Sequence, residues 1–231
     1  MAYTKRFDGR KMDELREIDA KVGIIPNADG SAMWKQGDTI ALAAVYGPKI
    51  FNPKHQQNPE KGVLRVHYGM LSFSVSERVK PGLSRRSQEI SKVTEWALTP
   101  VVMLDELPGT VIDVHINIIQ ANAGTRCAGI NAASMALAHA GIPMKELVSA
   151  IAVGKIDDKI VVDVNKEEED YEEGEGATDM PVAYLSNSKK IVLLQLDGRA
   201  RIKEVNEALE AGKDACEKIA ELQKKALKEA E

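Results

Sequence analysis

Three short groups of residues in this chain have types and spacings suited to chemistry on phosphates. Gly124-Thr125-Arg126 stands where a strand-like run gives way to a helix-like one. A helix start exposes backbone N–H groups and the positive end of the macrodipole, both of which attract anions. Gly124 lets the backbone approach a ligand closely, Thr125 adds a hydroxyl, and Arg126 adds a planar fork matched to phosphate oxygens. The alternative is an ordinary helix start with a surface arginine. Arg85-Arg86 follows Ser84 in the first turn of a second expected helix, where cations oppose the dipole. An anion there would compensate, or Glu89 could. Arg65 and Arg78, on the preceding segment, could extend a basic strip for a phosphodiester backbone. Asp179, in Ala177-Thr-Asp-Met-Pro181, stands at a strand entry. It is either a turn residue, or an acid or Mg²⁺ ligand near the anion loop.

Other candidates are weaker. His55, His67, His115 and His139 lack the spacing of a zinc set. Cys127 follows the anion loop but has no His–Asp partner in sequence, so it reads as a small buried residue. The acidic run Glu167–Glu175 has no EF-hand spacing and reads as a solvated hairpin tip or loop over about residues 166–176.

Elements must position these groups. Residues 21–50 read as strands broken at Asn27-Ala-Asp-Gly30 and Gln36-Gly-Asp38, and residues 62–75 as a further extended stretch. Ser84 caps a helix whose buried stripe is Ile90, Val93, Ala97 and Val101. Ile112, Val114, Ile116 and Ile118 alternate with Asp113, His115 and Asn117, which predicts a half-buried strand. A helix of small residues follows over about 126–140. Two more hairpins are predicted around Asp157-Asp158 and Ser186-Asn-Ser188. The chain closes on an amphipathic helix over roughly 202–230, whose inner face carries Val205, Ala208, Leu209, Gly212, Ala215, Cys216, Ile219 and Leu222. The class is α+β, because short turns join most strands.

Composition narrows the setting. Among 231 residues, 31 Lys+Arg oppose 35 Asp+Glu, for a net charge of −4. The seven carboxylates between Glu167 and Glu175 account for all of it, and the remainder stands at +3. The longest apolar run, Ile40–Tyr46, falls far short of the ~20 residues of a membrane span. Neither a secretory h-region nor a disulfide framework is visible, so a reducing cytoplasm is the expected compartment.

Several segments, taken in order, resemble the RNase PH family, and within it the exosome-type catalytic chains of archaea. These are Arg6-Phe-Asp-Gly-Arg10, Asn27-Ala-Asp-Gly-Ser-Ala32, Ala43-Ala-Val-Tyr-Gly-Pro48, Val63-Leu-Arg-Val66, Ser84-Arg-Arg86, Ala123-Gly-Thr-Arg126, Ala140-Gly-Ile-Pro-Met144 and Thr178-Asp-Met-Pro181. The resemblance implies two βαβα halves in one domain over 1–231. It implies 3′→5′ phosphorolysis, in which inorganic phosphate cleaves RNA and releases nucleoside diphosphates. Gly124, Thr125 and Arg126 would then bind phosphate, and Arg85 and Arg86 would lie at the scissile phosphate. Asp179 would be the catalytic aspartate, working with a divalent ion such as Mg²⁺. Arg65, His67 and Arg78 would lie on the RNA path. His67 stands where the family pattern often has a second arginine, and Asn122 where an aspartate is common before the phosphate loop. The implied partners are single-stranded RNA, a related inactive subunit alternating with this one in a ring of three heterodimers, and RNA-binding cap subunits. A homohexameric bacterial-type RNase PH trimming tRNA 3′ ends, or a catalytically silent RNA-binding ring scaffold, are the alternatives. For RNA to reach Asp179, the acidic run is expected to point away from the site.

Overall fold

The computed structural model describes residues 3–229. The expected end of the last helix, at Ala230, lies outside them. The first half runs β1 (Ile18–Val22), β2 (Gly30–Gln36), β3 (Thr39–Ile50), β4 (Val63–Met70), α1 (Arg85–Leu98), β5 (Thr110–Gln120) and α2 (Thr125–His139). The second runs β6 (Val148–Ile156), β7 (Lys159–Val162), α3 (Lys166–Glu169), β8 (Ala177–Leu185), β9 (Ile191–Leu194) and α4 (Ile202–Lys228). Each half has one sheet, in the orders β1-β2-β3-β5-β4 and β7-β6-β8-β9. Neighbouring strands are antiparallel except β4 and β5, which run parallel because α1 carries the chain back between them.

α2 lies between the sheets and touches β2, β3, β5 and β6. Its small residues make this possible: a Cβ on Gly129 would come within 3.1 Å of Ile116 Cγ2. Asn131, fully buried on α2, ties it to β6. Its amide donates to the Ala150 carbonyl (2.9 Å) and accepts from the Ala150 N–H (2.8 Å). One apolar core runs from Trp34 through Ile116 and Ile130 to Ile151 and Ile219, joining the two halves. In α4 the inner face buries Ala208, Gly212, Ala215, Cys216 and Ile219, while Val205, Leu209 and Leu222 flank it.

The expected elements form at or near their predicted bounds, and Ser84 caps α1 in a reciprocal capping box with Ser87. Two expectations need correction. Asp113 on β5 is buried rather than solvent-facing, because Arg65 (2.7 Å) and Lys49 (2.7 Å) close over it from the neighbouring strands. The acidic run does not cap a hairpin, since β7 and β8 lie on opposite sides of β6. It opens instead as α3, capped by Asn165 with Glu168 three residues on. That cap turns the fully buried Glu168 inward.

Candidate active site

β5 ends and α2 begins at a tight loop in which Ala123 and Gly124 both take the left-handed conformation (φ 55° and 63°). A non-glycine residue in that region is strained, so something must hold it. Thr39, fully buried at the start of β3, shares its hydroxyl proton between the carbonyls of Asn122 (3.0 Å) and Ala123 (2.8 Å). Arg16 grips the Asn122 carbonyl from the other side (2.5 Å). The held loop turns the start of α2 toward a cleft of about 330 Å³.

Gly124, Thr125 and Arg126 line that cleft together with Arg86 from α1 and Asp179 from β8. These elements come from both halves of the chain and lie up to 93 residues apart in sequence, as Arg86 and Asp179 do. Arg126 donates to the Gln195 side chain, which in turn donates to Glu89 (3.0 Å). Glu89 is therefore engaged with Gln195. Asp179 is fixed by its backbone, which exchanges two 2.9 Å hydrogen bonds with Asp197. Opposite it on β6 stands Gly154, where a Cβ would fall 2.5 Å from Val164 Cγ2.

The cleft also contains two residues the sequence reading did not assign: Lys166 and Glu169 of α3. The expectation that the acidic run points wholly away from Asp179 is overturned at Glu169. The physical cause is the N-terminal arm. Arg6, whose side chain is fully buried, forks onto Glu168 at 2.8 Å through both Nε and Nη2. It also donates to the carbonyls of Val162 (2.8 Å) and Asp163 (2.7 Å). Arg16 pairs with the buried Asp163 carboxylate (2.7 Å). With Glu168 pinned inward, the next residue of the turn, Glu169, faces the cleft. Five of the run's seven acids (Glu167, Asp170, Glu172, Glu173 and Glu175) remain exposed, as expected for a solvated segment. The signal for the rest was legible: Asn165-x-x-Glu168 is a capping-box spacing.

Electrostatics follow this geometry. Burial first, then Glu169, raises the Asp179 pKa from 3.8 to about 6; Asp197 adds to the rise, while Arg126 and Arg86 oppose it. Burial pushes the Cys127 thiol well up, so it remains a neutral core residue. Among the described residues no group of three or more His, Cys, Asp or Glu could hold a metal ion. Asp179 and Glu169 are the carboxylates of the cleft.

The remaining predicted site residues lie elsewhere. Arg85 is exposed at the start of α1 and does not line the cleft. Arg65 forks onto Asp113 and covers the Phe51 ring at 5.4 Å. His67 stacks on His115 (4.8 Å between rings), a pairing made by the β4–β5 register and invisible in sequence spacing. Arg78 lines a separate shallow depression with Phe73. Asn122 keeps its side chain out of the cleft, accepting from the Lys166 N–H (2.9 Å) at the head of α3.

Comparison with known proteins is consistent with this architecture. The profile of the 3′ exoribonuclease family, domain 1 (RNase PH), matches residues 14–143, and domain 2 of the same family matches residues 146–215. The chain is 53% identical over 225 residues to the exosome complex component Rrp41 of Thermococcus kodakarensis, covering 97% of this chain and 89% of that one. It is 50% identical over 223 residues to the Rrp41 of Nitrosopumilus maritimus, covering 96% and 90%. Rice Rrp46 superposes with a TM-score of 0.86 at 28% identity, over 96% of this chain and all of that one. A chain of the Archaeoglobus fulgidus exosome, solved with RNA bound to the active site, gives 0.79 at 23% identity, over 94% and 92%, and supports the fold. No helix among the described residues is long and apolar enough to cross a membrane. With both family domains matched in order and half its residues shared with two Rrp41 chains, this chain belongs to the RNase PH family of 3′ exoribonucleases.

Proposed function

We propose that this chain works as the catalytic subunit of an exosome-type ring, using the cleft between α2 and β8 for phosphorolysis. It is a phosphate-dependent 3′→5′ exoribonuclease, and its products are nucleoside diphosphates. The observation that carries the assignment of the site is the meeting of Gly124–Arg126, Arg86 and Asp179 in one cleft. A hydrolytic nuclease must activate water and typically gathers several carboxylates around two metals. Phosphate is already an anionic nucleophile, so the task becomes overcoming repulsion between two phosphates and stabilising charge on the transferring group. In this reading the N–H groups at the head of α2, Thr125 and Arg126 seat the attacking phosphate. Arg86, with Arg85 beside it, neutralises the scissile phosphate. Arg65, His67 and Arg78 guide the upstream RNA.

Asp179 and Glu169 fit a divalent ion such as Mg²⁺. Two carboxylates plus substrate oxygens is a common Mg²⁺ set, and the Asp179 pKa, raised by burial first and by Glu169 second, marks a carboxylate whose charge a cation would relieve. A divalent ion held there would supply charge neutralisation for the phosphoryl group being transferred. Asp179 and Glu169 would hold it, and Arg6, through Glu168, keeps α3 in register for that pairing. The two halves are read as one functional domain because the core and the cleft are both shared between them. A related inactive subunit alternating in the ring, RNA-binding caps and a cytoplasmic setting complete the proposal.

The experiment mixes the chain, alone and with the co-purifying RNase PH-like partner, with single-stranded RNA and phosphate. Nucleoside diphosphates should form only when phosphate is present, and Asp179→Ala should abolish turnover in a ring that still assembles. Nucleoside monophosphates formed without phosphate would sink the mechanism.

A further inference from the structure

Among the described residues, two non-glycine positions with left-handed backbones are held by one guanidinium. They are Ala123 (φ 55°), in the loop before α2, and Asp163 (φ 60°), just after β7. Such residues are costly and persist only where their surroundings fix them. Arg16 reaches both. Its Nη1 donates to the carbonyl of Asn122, in the peptide that enters Ala123 (2.5 Å), while Nε (3.0 Å) and Nη2 (2.7 Å) donate to Asp163 Oδ1. Its backbone N–H donates to Asp163 Oδ2 (2.7 Å). The pair is buried, with side chains 9% and 1% exposed. The β2–β3 turn confines the stem of Arg16, since a Cβ on Gly37 would fall 2.7 Å from Arg16 Cδ. Three residues after Asp163 the chain starts α3, and there the Lys166 N–H donates to Asn122 Oδ1 (2.9 Å). The cleft takes Gly124–Arg126 from the loop, and Lys166 and Glu169 from α3. Arg16 does not line that cleft; it lines a separate depression of about 380 Å³ with Gly37, Asp38 and Asn122.

We propose that Arg16 is a positioning residue for phosphate binding: its guanidinium ties the phosphate loop to the start of α3 and so fixes the spacing between the anion-binding N–H groups and Glu169. This rests on the reading of Gly124–Arg126 as the phosphate loop. The geometry requires a fork. An arginine presents its donors in fixed directions within one plane, so one head serves a carboxylate and a carbonyl at once. A lysine is a point charge that compensates Asp163 but lacks the rigid fork. N–H groups bind an anion best when they are already aimed at it, because any ordering needed on binding is subtracted from affinity. With the guanidinium in place, the Ala123–Gly124 turn is set before phosphate arrives. Arg16 therefore acts through the loop and not on the substrate. Arg65 and His67 lie on β4, at the opposite edge of the first sheet from β1, which Arg16 leads into. The RNA path is thus remote from this device.

Arg16→Lys keeps the charge that Asp163 needs and removes the fork. In the assembled ring, with single-stranded RNA as substrate, it should raise the KM for inorganic phosphate about tenfold, the scale of one charge-assisted hydrogen bond. The KM for RNA should stay at the parent value. Arg16→Ala should raise the phosphate KM further. Guanidinium chloride, added well below denaturing concentrations, should recover part of that loss by entering the depression that Arg16 vacates, and ammonium chloride at the same ionic strength should not. An unchanged phosphate KM in Arg16→Lys overturns the proposal, and so does an Arg16→Ala ring that guanidinium rescues no better than ammonium. Equal rises in both KM values with a lower melting temperature also overturn it, as general damage. Should Arg16→Ala fail to assemble, the KM split in Arg16→Lys decides alone. If the parent ring instead shortens RNA without phosphate, the phosphate-loop reading itself is what has failed.

Discussion

Replacing Asp179 with Asn should stabilise the protein while abolishing its activity, and the gain should depend on pH in a stated direction. Folding raises this aspartate from 3.8 to about 6. The folded state therefore binds the proton more tightly than the unfolded one, and stability falls as pH rises from about 4 through 6. Above both values the ionised carboxylate costs the fold up to about 3 kcal/mol. Asp179 retains some contact with water in the cleft, so about 1–2 kcal/mol is the realistic figure. For a chain of this size that corresponds to a rise of about 3–6 °C in Tm for Asp179→Asn near pH 7.5. By pH 5 the gain should shrink to about half, because the parent aspartate is then largely protonated in the folded state. The assay is thermal unfolding followed by circular dichroism at several pH values, with EDTA present and RNA absent. Equal melting temperatures at pH 7.5, or a gain that does not shrink toward pH 5, would refute the claim that Asp179 is held strained by burial and Glu169. Such a cost is expected where a group is kept for function rather than for the fold.

Glu169→Gln removes the like charge beside Asp179 and should lower that residue's pKa; the stabilisation from Asp179→Asn should then be smaller in this background than in the parent, as the same melts will read. Arg6→Ala leaves Glu168 buried and unpaired, a loss of about 3–5 kcal/mol in urea unfolding, and adding Glu168→Gln should recover part of it. Gly154→Ala drives a Cβ to 2.5 Å from Val164 Cγ2 and 3.0 Å from the Thr178 carbonyl, directly across from Asp179. It should cost about 1–3 kcal/mol by overpacking, measured as a lower urea midpoint.

Local chemistry made much of the molecule legible from its sequence. Ile112 to Ile118 alternate with a period of two, and the strand forms there because one face must be buried. Ser84, Gly124 and the small residues of α2 mark helix ends and a close-packed helix, since capping and volume act within a few residues of each other. The residue types of the cleft, an anion loop, an arginine pair and an aspartate, were readable for the same reason. Their meeting was not: Arg86, Thr125 and Asp179 share a cleft only because α2 is packed between two sheets. The acidic run shows the limit most clearly. Counted along the chain it is a block of like charge, and solvation is the cheapest fate for such a block. In the fold, Arg6 arrives from 162 residues away and draws Glu168 into the core, and that one ion pair turns Glu169 onto the active cleft. Sequence determined which groups could do chemistry, because type and near-neighbour spacing are written in it. Tertiary structure decided which of them share a dielectric, a charge field and a cleft, because those depend on distances that only packing sets.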